Sequence, residues 1–207
     1  MQNDELKIKR FAVHRLSFII HRSLPYWLLL LLTTDNRPMP KITVRFATAA
    51  DVETILRFIK GLAEFENEPD AVKATTADLL RDGFGEQPKF EVLLAEVGTE
   101  AVGLALFFPP YSTWEGRAGI HLEDIFVLEQ WRKHGVGQIL VIELAKLAVA
   151  RGCARLELSV LDWNPAREFY HRLSITHQEE WLPYRISGEA LHALAATEKN
   201  QTLDPGL

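Results

Sequence analysis

The feature that most constrains the fold of this chain is an apolar strand that runs through a glycine turn into an apolar helix. Ile120 to Leu128 reads as a strand, and the helical run behind the turn continues to Ala150. Between them, Trp131-Arg-Lys-His-Gly-Val-Gly-Gln138 carries glycines at 135 and 137. Such a turn brings backbone N–H groups and the positive end of a helix dipole against an anion, usually a phosphate. Two nucleotide versions are excluded. A dinucleotide fingerprint needs a third glycine where Leu140 stands, in a turn that opens the fold rather than follows several strands. A Walker loop needs Lys-Ser/Thr after its last glycine, and this chain has Gln138-Ile139. What remains is Arg132-x-x-Gly135-x-Gly137, with Arg132 or Lys133 able to add a charge contact.

The surrounding pattern sets the fold class. Ile42 to Phe46 alternates as a strand, and Thr48-Ala-Ala-Asp51 is a capping-box start. Behind it, Val52, Ile55, Leu56, Ile59, Leu62 and Ala63 form a helical stripe. Thr75-Thr-Ala-Asp78 opens a second short helix that ends at Gly83 or Gly85. Strands Phe90 to Val97 and Ala101 to Phe108 flank the hairpin signal Gly98-Thr99-Glu100, and Pro109-Pro110 stops the second. After the glycine turn come a strand at Arg155 to Val160, a helix at Pro165 to Leu173, a strand at Tyr184 to Ile186 and a helix at Gly188 to Ala196. This order predicts an α/β domain with hairpins in its middle, unlike a doubly wound parallel sheet.

With 207 residues, 47% hydrophobic and 25% charged, the chain has the bulk of one soluble domain with a core of its own. A net charge of −5 argues against nucleic acid as a partner and suits a cationic substrate. One cysteine, Cys153, excludes an internal disulfide framework and a cysteine-rich zinc site; it reads as a small buried hydrophobe and points to a reducing cytoplasm. The histidines show no ligand spacing, so no metal is expected. Residues 1–38 are basic, then apolar, and read as an extension outside the fold, with a docking segment or signal as alternatives. Their apolar run, Leu24 to Leu32, is nine residues, far short of the roughly 20 that span a bilayer, and no small-residue cleavage site follows. The domain is expected over residues 39–200, with 201–207 as a tail.

The glycine turn, set after HLEDIFVLEQW and before an apolar helix, resembles the acetyl-CoA loop of the GNAT acetyltransferase superfamily. Asp51 to Glu66, DLLRDGFGEQPKF, PYSTWEGRAGIHLEDIFV and SVLDWNPAREFY extend the likeness to the diamine (spermidine/spermine) acetyltransferases, with YSTWEG and LDWN leaning toward thialysine-acetylating members. The resemblance implies a GNAT fold, a mixed central sheet with hairpin strands flanked by helices. It implies acetyl-CoA as co-substrate, held by Arg132, Lys133, His134, Gly135, Val136, Gly137 and Gln138 at the pyrophosphate. Ile125, Phe126 and Val127 would lie along the pantetheine arm, with Asn164 and Ala166 at its far end. It also implies a homodimer.

Acetyl transfer to an amine must take a proton from an ammonium of pKa about 10.4 and give one to a thiolate. Glu123 is the candidate base, beside Asp124, whose like charge raises a carboxyl pKa. The resemblance makes Tyr170 the candidate acid, although Asn164 and Tyr170 are one residue closer than is usual in the family and Arg172-Leu-Ser-Ile175 replaces its R-L-G-A turn. Of the acids Glu64, Glu66, Glu68, Asp70, Asp162, Glu179 and Glu180, the resemblance selects Glu66, with Phe65, Trp114, Glu123, Asp124 and Trp181, for the amine. Ser112-Thr113 stand where polyamine-specific members carry an acid and a proline, which favours a shorter, amino-acid-like amine. The rival readings are a protein lysine or N-terminal acetyltransferase and a non-catalytic acyl-CoA-binding module.

Overall fold

A computed structural model describes residues 40–197, which fall into two compact units, 40–157 and 158–197. The expected N-terminal extension and C-terminal tail lie outside the described residues.

The first unit begins with β1 (Ile42–Phe46), whose Ile42 and Val44 point inward while Thr43 and Arg45 stay exposed. Arg45 reaches forward to Asp51, donating through both terminal nitrogens at 2.8 Å, and back to Glu96 through Nε at 2.9 Å. Asp51 also accepts from the Thr48 N–H at 2.8 Å, the carboxylate half of the expected capping box. The arginine holds the Asp51 carboxyl well below the usual carboxylate range. Helix α1 (Val52–Phe65) follows, then α2 (Thr76–Phe84), whose Thr75 Oγ accepts from the Asp78 N–H at 3.2 Å. Strands β2 (Glu91–Val97) and β3 (Glu100–Phe108) form the expected hairpin, tightened because Val97 pairs with Glu100 and leaves only Gly98-Thr99 in the turn. A small hairpin the sequence does not announce, β4 (Tyr111–Ser112) with β5 (Arg117–Ala118), carries Trp114 at its tip. Two-residue strands are too short to show a period. Then come β6 (Ile120–Val127), one 3₁₀ turn at Glu129–Trp131, α3 (Val136–Ala150) and β7 (Leu156–Leu158), shorter than the expected strand.

The main sheet has the order β1-β2-β3-β6-β7. Its first four strands are antiparallel neighbours. Bonds from Ala154 N–H to Ala118 O and from Ile120 N–H to Arg155 O advance together, so β7 runs alongside β6 in the same direction. One face buries Val92, Leu94, Leu104 and Leu106 against Val52, Ile55 and Phe58 of α1 and Leu79 of α2. The opposite face receives Val136 and Leu140 of α3, which press on Gly103 of β3. Side chains of this size each stabilise by about 1.5–3 kcal/mol when fully buried, so the sheet is clamped from both sides.

In the second unit, α4 (Ala166–Arg172) buries Tyr170 and α5 (Gly188–Ala195) follows. The strand expected at Tyr184 to Ile186 does not form. Tyr184 is 92% exposed and the stretch has no regular structure; three apolar residues give too short a signal to distinguish a strand from an extended loop.

Candidate active site

The register of β3 and β6 places the first half of the site. Leu106 pairs with Asp124, but Phe107 pairs with Leu122, so Glu123 is an extra residue without a partner, a β-bulge. Bulges of this kind re-aim side chains. Here the bulge puts Asp124 on the α1 face with Leu106, whereas Leu122 shares the α3 face with Phe107. Facing that side at the end of α1 is Glu66. Burial first, then the charges of Glu123 and Glu66, push the Asp124 carboxyl up to about 6. Glu123 itself is exposed, with Oε2 at 3.6 Å from His121 Nε2.

The second half is the glycine turn. Arg132 folds back on the strand it follows: Nε donates to Val127 O at 3.1 Å, and its guanidinium lies 4.9 Å from the Phe65 ring and 5.8 Å from Phe126. These cation–π contacts fasten the end of α1 to the turn. Lys133 and Gly135 are both left-handed (φ 64° and 82°), and the His134 Nδ1 lies 2.8 Å from Arg132 O. The first bond within α3 runs from Ile139 N–H to Gly135 O. The N–H groups of Val136, Gly137 and Gln138 therefore point out of the helix start, as first-turn donors do. A Cβ on Gly135 would meet nothing within 4 Å, so the left-handed backbone rather than crowding is what favours glycine there.

This arrangement fits a pyrophosphate carried on a long amide-bearing arm. The turn offers successive backbone donors to the phosphates. The short β7 lies beside the start of β6, so among the described strands none flanks the outer edge of Ile125-Phe126-Val127. That edge can pair with amides as a strand pairs with a strand. A cleft of about 450 Å³ opens beside it, lined by Leu56, Gly61 and Glu64 of α1 together with Phe126 and Leu128.

The family model for the acetyltransferase (GNAT) family matches residues 56–174, more than half of the chain. The chain belongs to the GNAT acetyltransferase family. It is similar to the thialysine N-epsilon-acetyltransferases of Mus musculus (38% identity) and Bos taurus (40%), each over 169 residues that cover 76% of this chain and 99% of the relative. A spermidine/spermine N(1)-acetyltransferase-like protein 1 of Homo sapiens is 36% identical over 77% of this chain and 24% of its own length. Among solved structures, an integron cassette protein from the mobile metagenome of V. cholerae superposes with a TM-score of 0.64 at 23% identity, covering 75% of this chain and 98% of that one. That likeness carries the GNAT fold alone. The chain is thus an N-acetyltransferase of GNAT type, and enzymes of this type use acetyl-CoA.

Within residues 40–157 this GNAT chain brings Phe65, Glu66, Asp124, Phe126 and Arg132 to one side of β6, with Glu123 on its bulge and residues 132–138 at its end. Trp114, expected at the amine, stands at its hairpin tip and is 88% exposed. In the second unit, Asn164 is buried and its Oδ1 accepts from the Ala166 N–H at 2.9 Å, opening α4. Tyr170 is buried on that helix, its ring 5.2 Å from Phe169, while Trp181 is exposed. The ring of His121, stacked on Phe108, is a site feature the sequence reading does not assign; its only sequence signal is the spacing His121-x-Glu123 on a strand. Among the described residues no cluster of His, Cys, Asp and Glu is suited to hold a metal, and no helix is long and apolar enough to cross a membrane.

Proposed function

We propose that this enzyme transfers acetyl from acetyl-CoA to the primary amine of a small, amino-acid-like cation of the thialysine type, by direct attack within a ternary complex. The observation that carries the reading is the bulge at Glu123. It sets Glu123 and Asp124 side by side near Glu66, on the strand whose far end enters the glycine turn. A carboxylate cluster attracts an ammonium, and a base adjoining it can relieve that ammonium of its proton.

Acetyl-CoA supplies the acetyl group as a thioester. The donors of Val136, Gly137 and Gln138 bind its pyrophosphate, and the edge of Ile125-Phe126-Val127 orients its arm. Glu66 and Asp124 hold the amine, with Phe65, Trp114 and Trp181 as its apolar contacts. Glu123 takes the amine proton. Tyr170 returns a proton to the sulfur, since a phenol near pKa 10 and a thiol near 8.5 exchange one readily. The names of the similar curated enzymes support an Nε-type amine. The single cysteine suits a cytoplasmic setting, and we propose a homodimer, which light scattering of the purified chain tests.

Initial rates at varied acetyl-CoA and thialysine should give intersecting reciprocal plots; parallel lines would indicate an acyl-enzyme and remove the ternary-complex mechanism. Tyr170→Phe should lower kcat by about 10²-fold, within the range of a lost general acid, while acetyl-CoA affinity by calorimetry stays unchanged. Full turnover in that variant would take Tyr170 out of the chemistry.

A further inference from the structure

The imidazole of His121 lies between two carboxylates. Nε2 is 3.6 Å from Glu123 Oε2, and Nδ1 is 3.8 Å from Glu157 Oε1. The ring is packed on one face. It stacks on Phe108, its partner across β3 and β6, with centroids 4.9 Å apart and planes inclined by 24°. Behind it, Glu157 is anchored by Arg155, whose Nε lies 2.7 Å from Oε2. The charged groups facing the imidazole are therefore Glu123 on β6, and Glu157 with Arg155 behind it on the β7 side, while β3 contributes the Phe108 face.

Glu123 is the member of this row that lacks support of its own. It sits on the bulge without a ladder partner, and its side chain is 55% exposed. An exposed glutamate has many rotamers, and holding it in one opposes its conformational entropy. A ring nitrogen held on its carboxylate side supplies the missing constraint. At 3.6 Å the contact is longer than a direct hydrogen bond, and catalytic contacts of this kind tighten when substrate binds.

We propose that His121 is a positioning residue for Glu123: stacked on Phe108 and backed by Glu157, it aims the Glu123 carboxylate at the amine. The inference rests on the reading of Glu123 as the base. It assigns His121 no proton transfer to the substrate.

The test compares His121→Phe, His121→Gln, Glu123→Gln and the double variant His121→Phe/Glu123→Gln in steady-state thiol release, with urea midpoints to verify folding. Phenylalanine keeps the stack on Phe108 and removes the ring nitrogens; glutamine keeps a donor at similar reach. His121→Phe should lower kcat about tenfold or more, with KM for acetyl-CoA little changed, and His121→Gln should recover most of that loss. Because His121 acts through Glu123, the double variant should be no slower than Glu123→Gln alone. Unchanged kcat in His121→Phe, or loss factors that multiply in the double variant, would overturn the proposal and leave the base assignment standing. Full activity in Glu123→Gln would overturn both.

Discussion

Asp124 is a carboxyl that burial and two neighbouring acids lift from 3.8 to about 6. Below about pH 4 the group is protonated in both folded and unfolded chains and contributes nothing. Between about pH 4 and 6 the folded state binds the extra proton, so stability falls as pH rises through this window. Above it, the folded protein carries a half-buried charge that is worth on the order of 2–3 kcal/mol against it. Asp124→Asn should therefore be more stable than the parent at pH 7.5, by up to that amount in urea unfolding. The gain should shrink toward zero at pH 4, and the variant should bind the amine less well. A gain independent of pH would show that the carboxyl is not lifted by its surroundings. A site that accepts this penalty is consistent with one that expects a cation to arrive.

At the scale of elements, helix propensity and packing disagree at Gly61. A glycine in the middle of α1 is about 1 kcal/mol worse than alanine on propensity alone. A Cβ there, however, would lie 2.7 Å from Phe126 Cζ, and that ring is already packed at a tilt against Phe58 and lies under Arg132. Gly61→Ala should thus destabilise the fold by about 1–3 kcal/mol and disturb the β6 edge; a stabilised variant would mean that the ring moves freely. The end of α4 makes the opposite case. Ile175 N–H bonds Tyr170 O and Ser174 N–H bonds His171 O, a Schellman motif whose left-handed position (φ 61°) holds serine instead of glycine. Ser174→Gly should raise the thermal midpoint, by about 1 kcal/mol of stability, as differential scanning calorimetry would register. The Arg172-Leu-Ser-Ile175 segment thus closes α4 with serine in the left-handed position. Elements such as α2, closed by Thr75, Asp78 and Gly85, were legible because their signals are local. The bulge at Glu123 was not, since it exists only in the register between β3 and β6, which no stretch of one strand encodes.

For the molecule as a whole, the strand–turn–helix core around β6 and α3 was readable from glycine placement and apolar pattern, and with it the GNAT class. The chemistry was half readable. Adjacent acids at 123 and 124 suggest a site in the sequence, but only the fold shows Asp124 close enough to Glu66 to feel its charge and His121 beside Glu123. A cofactor-binding role proposed for apolar residues such as Ile125 and Val127 is ambiguous in the sequence because a core strand requires the same side chains. Acetylation of a small amine by this proposed assembly can be measured as thiol release from acetyl-CoA against thialysine, lysine, spermidine and putrescine. Release should depend on the amine, with the highest kcat/KM for thialysine and lower values for the polyamines. Tight acetyl-CoA binding with no release on addition of any of these amines would contradict it.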